Sequence, residues 1–296
     1  MRQRNFMQVG NIRIDRVADI EKSAHPAARG FPTLTKEMLQ EHAIRLGPDL
    51  IDPGSLDLFM SFHTYVVRQG DATMLVDACV GNDKERPARP DWHRRQGDFL
   101  ERLAAAGVRP QDVDAVLCTH LHADHVGWNT RLVNGQWVPT FPNARYLMAE
   151  VELRHFQDKV AREGNAANNH CYPDSVLPVI ERGQAELVST SHRISSGIYT
   201  EHAPGHTPGS VLIHIEDGRE HAICTGDLIH HPLQMSDPGM PTQYCEDPPA
   251  SARLRSSFCR QYADTRIVVL TAHFPYPSKG WIKRDGQAFR FEFDYR

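Results

Sequence analysis

Four side chains of metal-ligating type stand close together in the segment Thr119–Gly127. They are His120, His122, Asp124 and His125. Neutral imidazole and carboxylate groups are ligands that zinc and similar divalent ions accept in proteins. His120 and His122 are two residues apart, so in an extended backbone both side chains point to the same side. Neither helix amphipathicity nor core packing asks for this composition, and the segment therefore predicts a metal site.

The elements around this segment must hold it rigidly. The run Asp114–Cys118 leads into it and predicts a short buried strand. Upstream, Leu56–Val67 and Thr73–Cys79 predict a hairpin that turns at Gln69-Gly70-Asp71. Further strands are predicted at residues 185–190, 197–202, 210–215, 221–224, 266–270 and 280–295. Helices are predicted at residues 35–46, with Thr35 as the N-cap, and at 92–106, 149–162 and 249–263. Strands interspersed with helices predict a layered α/β domain.

The bulk composition excludes several classes of protein. The 296 residues are 40% hydrophobic and 24% charged, as in a globular protein, and no linker interrupts them, so a single domain over residues 1–296 is expected. A net charge of −4 favours neither nucleic acid nor an anionic membrane as partner. No apolar run reaches the ~20 residues of a membrane span, and none of signal-peptide length follows Arg2 and Arg4, so a cytoplasmic protein is expected.

The metal-ligating segment resembles the HxHxDH signature of the metallo-β-lactamase superfamily. Four other segments resemble the remaining elements of that family, in the family's order: Leu75-Val76-Asp77, Ala203–Ser210 with its GHTPG sequence, Thr225-Gly226-Asp227 and Ala272-His273-Phe274. The resemblance spans roughly residues 56–293. It implies a four-layer αββα sandwich, in which two β-sheets are flanked by helices.

The resemblance also implies a ligand set for two divalent ions. His120, His122 and His206 would hold one ion, Asp124, His125 and His273 the other, and Asp227 would bridge them. Zinc is the expected metal, and manganese, iron or cobalt would fit the same donors. Asp77 is interpreted either as a partner that orients an imidazole or as an ordinary strand-end aspartate.

A bridging hydroxide between two such ions would be the nucleophile of a hydrolase. Asp124 is then a ligand that orients the site, and Asp227 is a candidate proton acceptor. Some lactonases of the family carry a tyrosine shortly after the bridging aspartate, where this chain has His230, which could donate a hydrogen bond instead. Apart from that option for His230, a structural or surface role is favoured over a functional one for five histidines: His63, His202, His214, His230 and His231.

The substrate is less constrained than the metal site. The ligand set with Asp227 at the bridging position resembles the dinuclear hydrolases of the family, which include lactonases and organophosphate hydrolases, and differs from the β-lactamases, which usually carry cysteine there. Lactones or related carboxylic esters are the expected substrates. The alternative is an aryl phosphotriester, because the stretch from His273 to Pro277, with Gly280 and Phe289–Phe291, resembles methyl-parathion-hydrolase-like proteins. A non-catalytic metal-binding protein is the third hypothesis.

The expected partner is an apolar small molecule. Trp128, Phe274 and Tyr276 are candidates for a pocket wall or for the core, whereas Trp137 and Phe141 are expected in the core. A homodimer is considered, with residues 20–55 as either a lid or a dimer contact.

Overall fold

The protein is described by a computed structural model over residues 6–296, so Arg2 and Arg4 lie outside the described residues. The strands are β1 Phe6–Val9, β2 Ile12–His25, β3 Leu58–Gln69, β4 Ala72–Val76, β5 Ala115–Leu117, β6 Thr130–Val133, β7 Gln136–Pro139, β8 Arg145–Ala149, β9 Ala185–Val188, β10 Arg193–Ser195, β11 Ile198–His202, β12 Val211–Asp217, β13 Glu220–Cys224, β14 Val268–Leu270, β15 Lys279–Asp285 and β16 Ala288–Phe293. The helices are α1 Ala27–Gly30, α2 Lys36–Leu46, α3 Phe99–Ala105, α4 Ala123–Val126, α5 Glu150–Glu163, α6 Leu177–Glu181 and α7 Pro248–Tyr262.

Two seven-stranded sheets are built from these strands. The first has the order β1-β2-β3-β4-β5-β8-β9, and the second has the order β10-β11-β12-β13-β14-β15-β16. Strands β4, β5, β8 and β9 pair in parallel, as do β13 and β14. The carboxyl ends of parallel neighbours lie at the same edge of a sheet, which is where α/β proteins place their ligand sites.

The chain forms two compact units. The first comprises residues 6–19 together with Phe62–His192, and its central strands β4 and β5 are buried at Leu75 and Val116. The second comprises Ile20–Ser61 and Arg193–Arg296. In the second unit, α7 contributes Phe258 and Cys259 to a core that includes Ile223 and Val269 of the sheet.

Residues 20–55 belong to the second unit and are well packed. Helix α2 begins after Thr35, whose hydroxyl accepts a hydrogen bond from the Met38 amide as a capping residue should. Phe31 and Leu39 are buried together with Leu233 and Met240. A role of this segment as lid or dimer contact stays a prediction.

Most predicted elements are present, and two predictions are wrong. The helix predicted at residues 92–106 begins only at Phe99, and the tail predicted as one strand is the hairpin β15–β16 with its turn at Gly286. The predicted hairpin around Gly70 is present as β3–β4. Within the described residues, no helix is long and apolar enough to cross a membrane.

Candidate metal centre

Asp77 organises the candidate ligands of the first unit. It follows β4 in a left-handed conformation (φ 61°) and accepts a hydrogen bond from the Thr119 amide at 2.8 Å and from the Thr119 hydroxyl at 2.7 Å. Its second oxygen lies 2.7 Å from Nδ1 of His125. The carboxylate accepts only, so Nδ1 carries the proton and Nε2 of a neutral ring is left with a lone pair. Asp77 therefore orients an imidazole, as one of the two interpretations expected.

The HxHxDH segment begins directly after β5 and bends into α4. His120 and His125 are buried, while His122 and Asp124 are partly exposed. Nε2 of His120 lies 3.1 Å from Nδ1 of His122, and the ring centroids of His120 and His125 are 4.0 Å apart. Asp124 Oδ2 lies 3.9 Å from Nε2 of His125. The segment thus gathers all four predicted ligands within one turn of chain.

The turn between the histidines is held by residues outside any motif. Glu152 on α5 is 1% exposed and accepts a hydrogen bond from the Leu121 amide at 3.0 Å. The Asn168 side chain donates to the Leu121 carbonyl at 2.7 Å, and the Cys171 thiol approaches the same oxygen at 3.5 Å. Both backbone polar groups of Leu121 are therefore satisfied by side chains, which fixes the two peptide planes between His120 and His122.

Gly127 ends this segment because the loop at Cys79 and Val80 passes directly over it. Its amide donates to the Cys79 carbonyl at 2.7 Å, and a Cβ at this position would meet the Val80 carbonyl oxygen at 1.9 Å. The buried Asp19 carboxylate accepts hydrogen bonds from the Val80 and Gly81 amides, each at 3.2 Å. The loop that follows Asp77 and the end of α4 are therefore packed backbone against backbone.

Asp227 organises the candidate ligands of the second unit. It follows β13 in a single helical turn and is 6% exposed. Its Oδ2 lies 3.2 Å from Nε2 of His206, and its Oδ1 lies 3.0 Å from Nε2 of His273. One carboxylate thus presents a separate oxygen to each of two histidines that the sequence assigns to different metal ions.

The protonation of His273 tests whether this donor set fits a cation. Its Nδ1 lies 3.1 Å from the Ser61 carbonyl oxygen, which can only accept, so Nδ1 carries the proton. The lone pair of Nε2 then faces the Asp227 carboxylate, and two acceptors at this distance repel unless a cation lies between them. Asp77 fixes the tautomer of His125 in the same way, so Nε2 of that ring also carries a lone pair. The residues present therefore fit divalent metal ions.

His206 is positioned by the Ala203–Ser210 loop and by α7. Gly205 has φ 126° and lies so close to the start of α7 that a Cβ would meet the Ser251 amide nitrogen at 2.4 Å. Nδ1 of His206 contacts the Cys245 thiol at 3.5 Å. Burial raises the pKa of Cys245 to about 11, so this sulfur is a neutral thiol at neutral pH.

His230, the predicted hydrogen-bond donor, is buried beside the carboxylate. Its Nε2 lies 3.4 Å from Asp227 Oδ2, and its ring packs 5.0 Å from that of His206 and 5.3 Å from that of Tyr244. Burial is the main cause that lowers the pKa of His230, although Asp227 opposes it, so the ring is neutral at neutral pH. A neutral imidazole in this place still carries one N–H to donate.

The neighbouring His231 has a structural role. Its Nδ1 accepts from the Leu233 amide at 3.2 Å and its Nε2 donates to the Leu50 carbonyl at 3.0 Å. Burial lowers the pKa of His231 to about 3, so it remains neutral. His202 donates to the Pro208 carbonyl and braces the loop that carries His206.

The aromatic side chains proposed for a pocket wall divide into two groups. Trp128 is buried and stacks on Phe99, and Phe274 is fully buried among Phe291 and Phe293, so these two belong to the core. Tyr276 remains partly exposed. Phe141 is buried, as expected, and Trp137 covers the Lys84 ammonium at 3.7 Å.

Comparison with known proteins decides the family. The family model described as "Metallo-beta-lactamase superfamily" matches residues 63–282. The chain belongs to this superfamily. Metallo-beta-lactamase domain-containing protein 1 of Xenopus laevis is 41% identical over 71 residues, which cover 24% of this chain and 25% of that protein. The match to this metallo-β-lactamase relative therefore spans only a quarter of its length.

Two solved structures share the fold over nearly the whole chain. The dizinc quorum-quenching lactonase AidC aligns with a TM-score of 0.79 at 20% identity and covers 98% of this chain and 96% of its own. The hydrolase AbOPH aligns with a TM-score of 0.81 at 22% identity, with coverage of 98% and 96%. The predicted fold class, with two large sheets and flanking helices, is confirmed.

Proposed function

We propose that this protein is a dinuclear metal-dependent hydrolase that opens lactones or cleaves related carboxylic esters. His120, His122 and His206 would hold one ion, and Asp124, His125 and His273 would hold the other. Asp227 would bridge the two ions. Zinc is the proposed metal, because imidazole and carboxylate donors suit it and because AidC is a dizinc lactonase.

The contacts of Asp227 carry this proposal. Its two oxygens approach His206 and His273 at 3.2 and 3.0 Å, so one carboxylate serves both proposed ligand groups. A thiolate at this position would offer a single ligand atom, whereas a carboxylate offers two. The tautomers of His125 and His273 leave a ring nitrogen of each without a proton, as metal ligation requires.

A pair of divalent ions held here would lower the pKa of bound water and polarise a carbonyl or phosphoryl oxygen. Asp77, Glu152 and Ser61 keep the ligands in place, so little reorganisation is needed when substrate binds. Asp227 is proposed to accept a proton, and the N–H of the neutral His230 to donate a hydrogen bond to the substrate oxygen. The substrate is proposed to be an apolar small molecule.

The activity is tested by proton release from the zinc-loaded protein against lactones, homoserine lactones, aryl esters and aryl phosphotriesters. A chelated sample is the control for metal dependence. Turnover of lactones or esters well above the other classes is the expected result. Turnover of phosphotriesters alone would replace the proposed substrate class. Lack of turnover of every substrate by a protein that holds two ions per chain would favour a non-catalytic role.

A further inference from the structure

A second cluster of ligand-type side chains lies on β11, β12 and β13 and shares no residue with the proposed dinuclear centre. His214 and Glu216 are two residues apart on β12, so they project from the same face of the sheet. His221 on β13 stands directly opposite Glu216, and Tyr199 on β11 stands directly opposite His214. The strand register alone therefore brings two imidazoles and a carboxylate together on this face.

The donor atoms of this cluster are spaced as a small cation requires. Nδ1 of His214 lies 2.9 Å from Nε2 of His221, and that nitrogen lies 3.4 Å from Oε1 of Glu216. One atom from each of the three side chains fits within 4.8 Å of the others. Tetrahedral zinc, with Zn–N distances of about 2.0–2.1 Å, separates neighbouring donors by about 3.3 Å. The observed spacings bracket this value.

The surrounding residues orient the donors inward. Nε2 of His214 lies 2.9 Å from a Glu201 carboxylate oxygen, so it carries the proton and Nδ1 presents its lone pair to His221. The Tyr199 ring stacks on the His214 ring with 4.7 Å between centroids and 4° between planes, and its hydroxyl donates to Glu216 at 2.7 Å. A carboxylate that fixes the tautomer of a histidine is the usual support of a metal-ligating imidazole.

The charge and protonation of the cluster also suit a dication. Glu201 and Glu216 bring two negative charges to the pair of rings. Glu201 holds the proton of His214 on Nε2, which leaves the lone pair of Nδ1 to bind a metal ion.

We propose that His214, Glu216 and His221 form an additional divalent-cation site of the zinc or cobalt type. Glu201 and Tyr199 position its ligands. Because the ligands come from two paired strands, an ion bound here cross-links β12 and β13 and stabilises this part of the second unit.

The test is the metal content and the melting temperature of the zinc-loaded protein after dialysis against buffered micromolar zinc. His221→Ala is expected to hold one zinc ion per chain fewer than the wild type. We also expect the melting temperature of the wild type to rise in buffered micromolar zinc and that of His221→Ala to lack this rise. His42→Ala, which removes a half-buried histidine of α2 that lies beside Arg45, is the matched control and is expected to behave as the wild type.

Glu216→Gln is the second variant, since it keeps an oxygen for the Tyr199 hydroxyl and removes the charge. It is expected to bind the additional ion more weakly than the wild type. Equal zinc content and equal zinc-dependent melting in the wild type, His221→Ala and Glu216→Gln would overturn the proposal. The 2.9 Å contact between the rings would then be a hydrogen bond between two neutral histidines.

Discussion

The replacement Asp77→Asn tests whether a single carboxylate orients His125, a candidate ligand of the first unit. Asparagine keeps the shape of the side chain and one acceptor oxygen, which can still serve the Thr119 amide. Its amide group, however, would face Nδ1 of His125, where the wild type places an acceptor at 2.7 Å. Two donors would then oppose each other, and the ring would move its proton to Nε2, the nitrogen needed for metal.

The expected losses of metal affinity and of folding stability follow from these contacts. Loss of a group that orients a ligating histidine typically costs 10–100-fold in metal affinity, or about 1.4–2.8 kcal/mol. Asp77 is 5% exposed, so the mismatch cannot be relieved by water, and folding stability should fall by about 1–3 kcal/mol as well. Of the two proposed ions, the one held by His125 should lose more affinity than the other.

The assay is a zinc competition titration against a chromophoric chelator, with chemical denaturation of the same samples. Asp114→Asn is the matched control, because Asp114 accepts one amide hydrogen bond, from Thr73 at 2.8 Å, at the exposed opposite end of β5. The control should leave zinc affinity unchanged. If Asp77→Asn binds both ions within twofold of the wild type, Asp77 does not set the tautomer of His125 and the reasoning is refuted.

Three further predictions concern the packing of Gly127, the buried Lys84 and the role of His230. Gly127→Ala should lower the free energy of unfolding by about 1–3 kcal/mol because its Cβ would overlap the Val80 carbonyl. Gly54→Ala, whose Cβ would meet only the Asp52 carboxylate oxygen at 3.3 Å, should cost less in the same denaturation assay. Burial lowers the pKa of Lys84 to about 7. The unfolded chain therefore binds the proton that the folded protein lacks between pH 7 and the ordinary lysine pKa of 10.5, and the free energy of unfolding should rise with pH there by up to about 1.4 kcal/mol per unit. Lys84→Met should lack this rise in denaturation curves measured across that range, and an unchanged slope would contradict it. His230→Gln should keep both metals by elemental analysis and lower kcat by about 100- to 1,000-fold, as loss of a well-placed donor to the substrate oxygen does. Loss of metal in this variant would make His230 a ligand instead of a donor.

The sequence was most informative where chemistry and strand pattern coincide. His120 to His125 follow a buried apolar strand, and Asp227 and His273, which the family resemblance implies as ligands, follow two more. The helix prediction at residues 92–106 was wrong because Asn82 and Gly97 exchange two hydrogen bonds that a helix would break. In the tail, Asp285 and Gly286 form part of a turn inside a run of alternating polar and aromatic residues, and this alternation by itself favours a single strand.

The residues that support the ligands could not be predicted in the same way. Glu152 lies 31 positions from Leu121, and Cys245 lies 39 positions from His206. Neither stands in a motif, and Glu152 reads as an ordinary polar residue of an amphipathic helix. Only the packing of α5 against the turn after β5 shows that its carboxylate is buried and serves a backbone amide.

The central claim is that Asp227 joins two metal ions held by the seven predicted ligands. The most direct measurement is the metal content, by elemental analysis, of the zinc-loaded wild type, Asp227→Ala and His230→Ala in the presence of a weak chelator that clears surface-bound zinc. The account predicts two retained ions in the wild type and His230→Ala, with loss of metal and of hydrolysis together in Asp227→Ala. Two retained ions and full turnover in Asp227→Ala would contradict it.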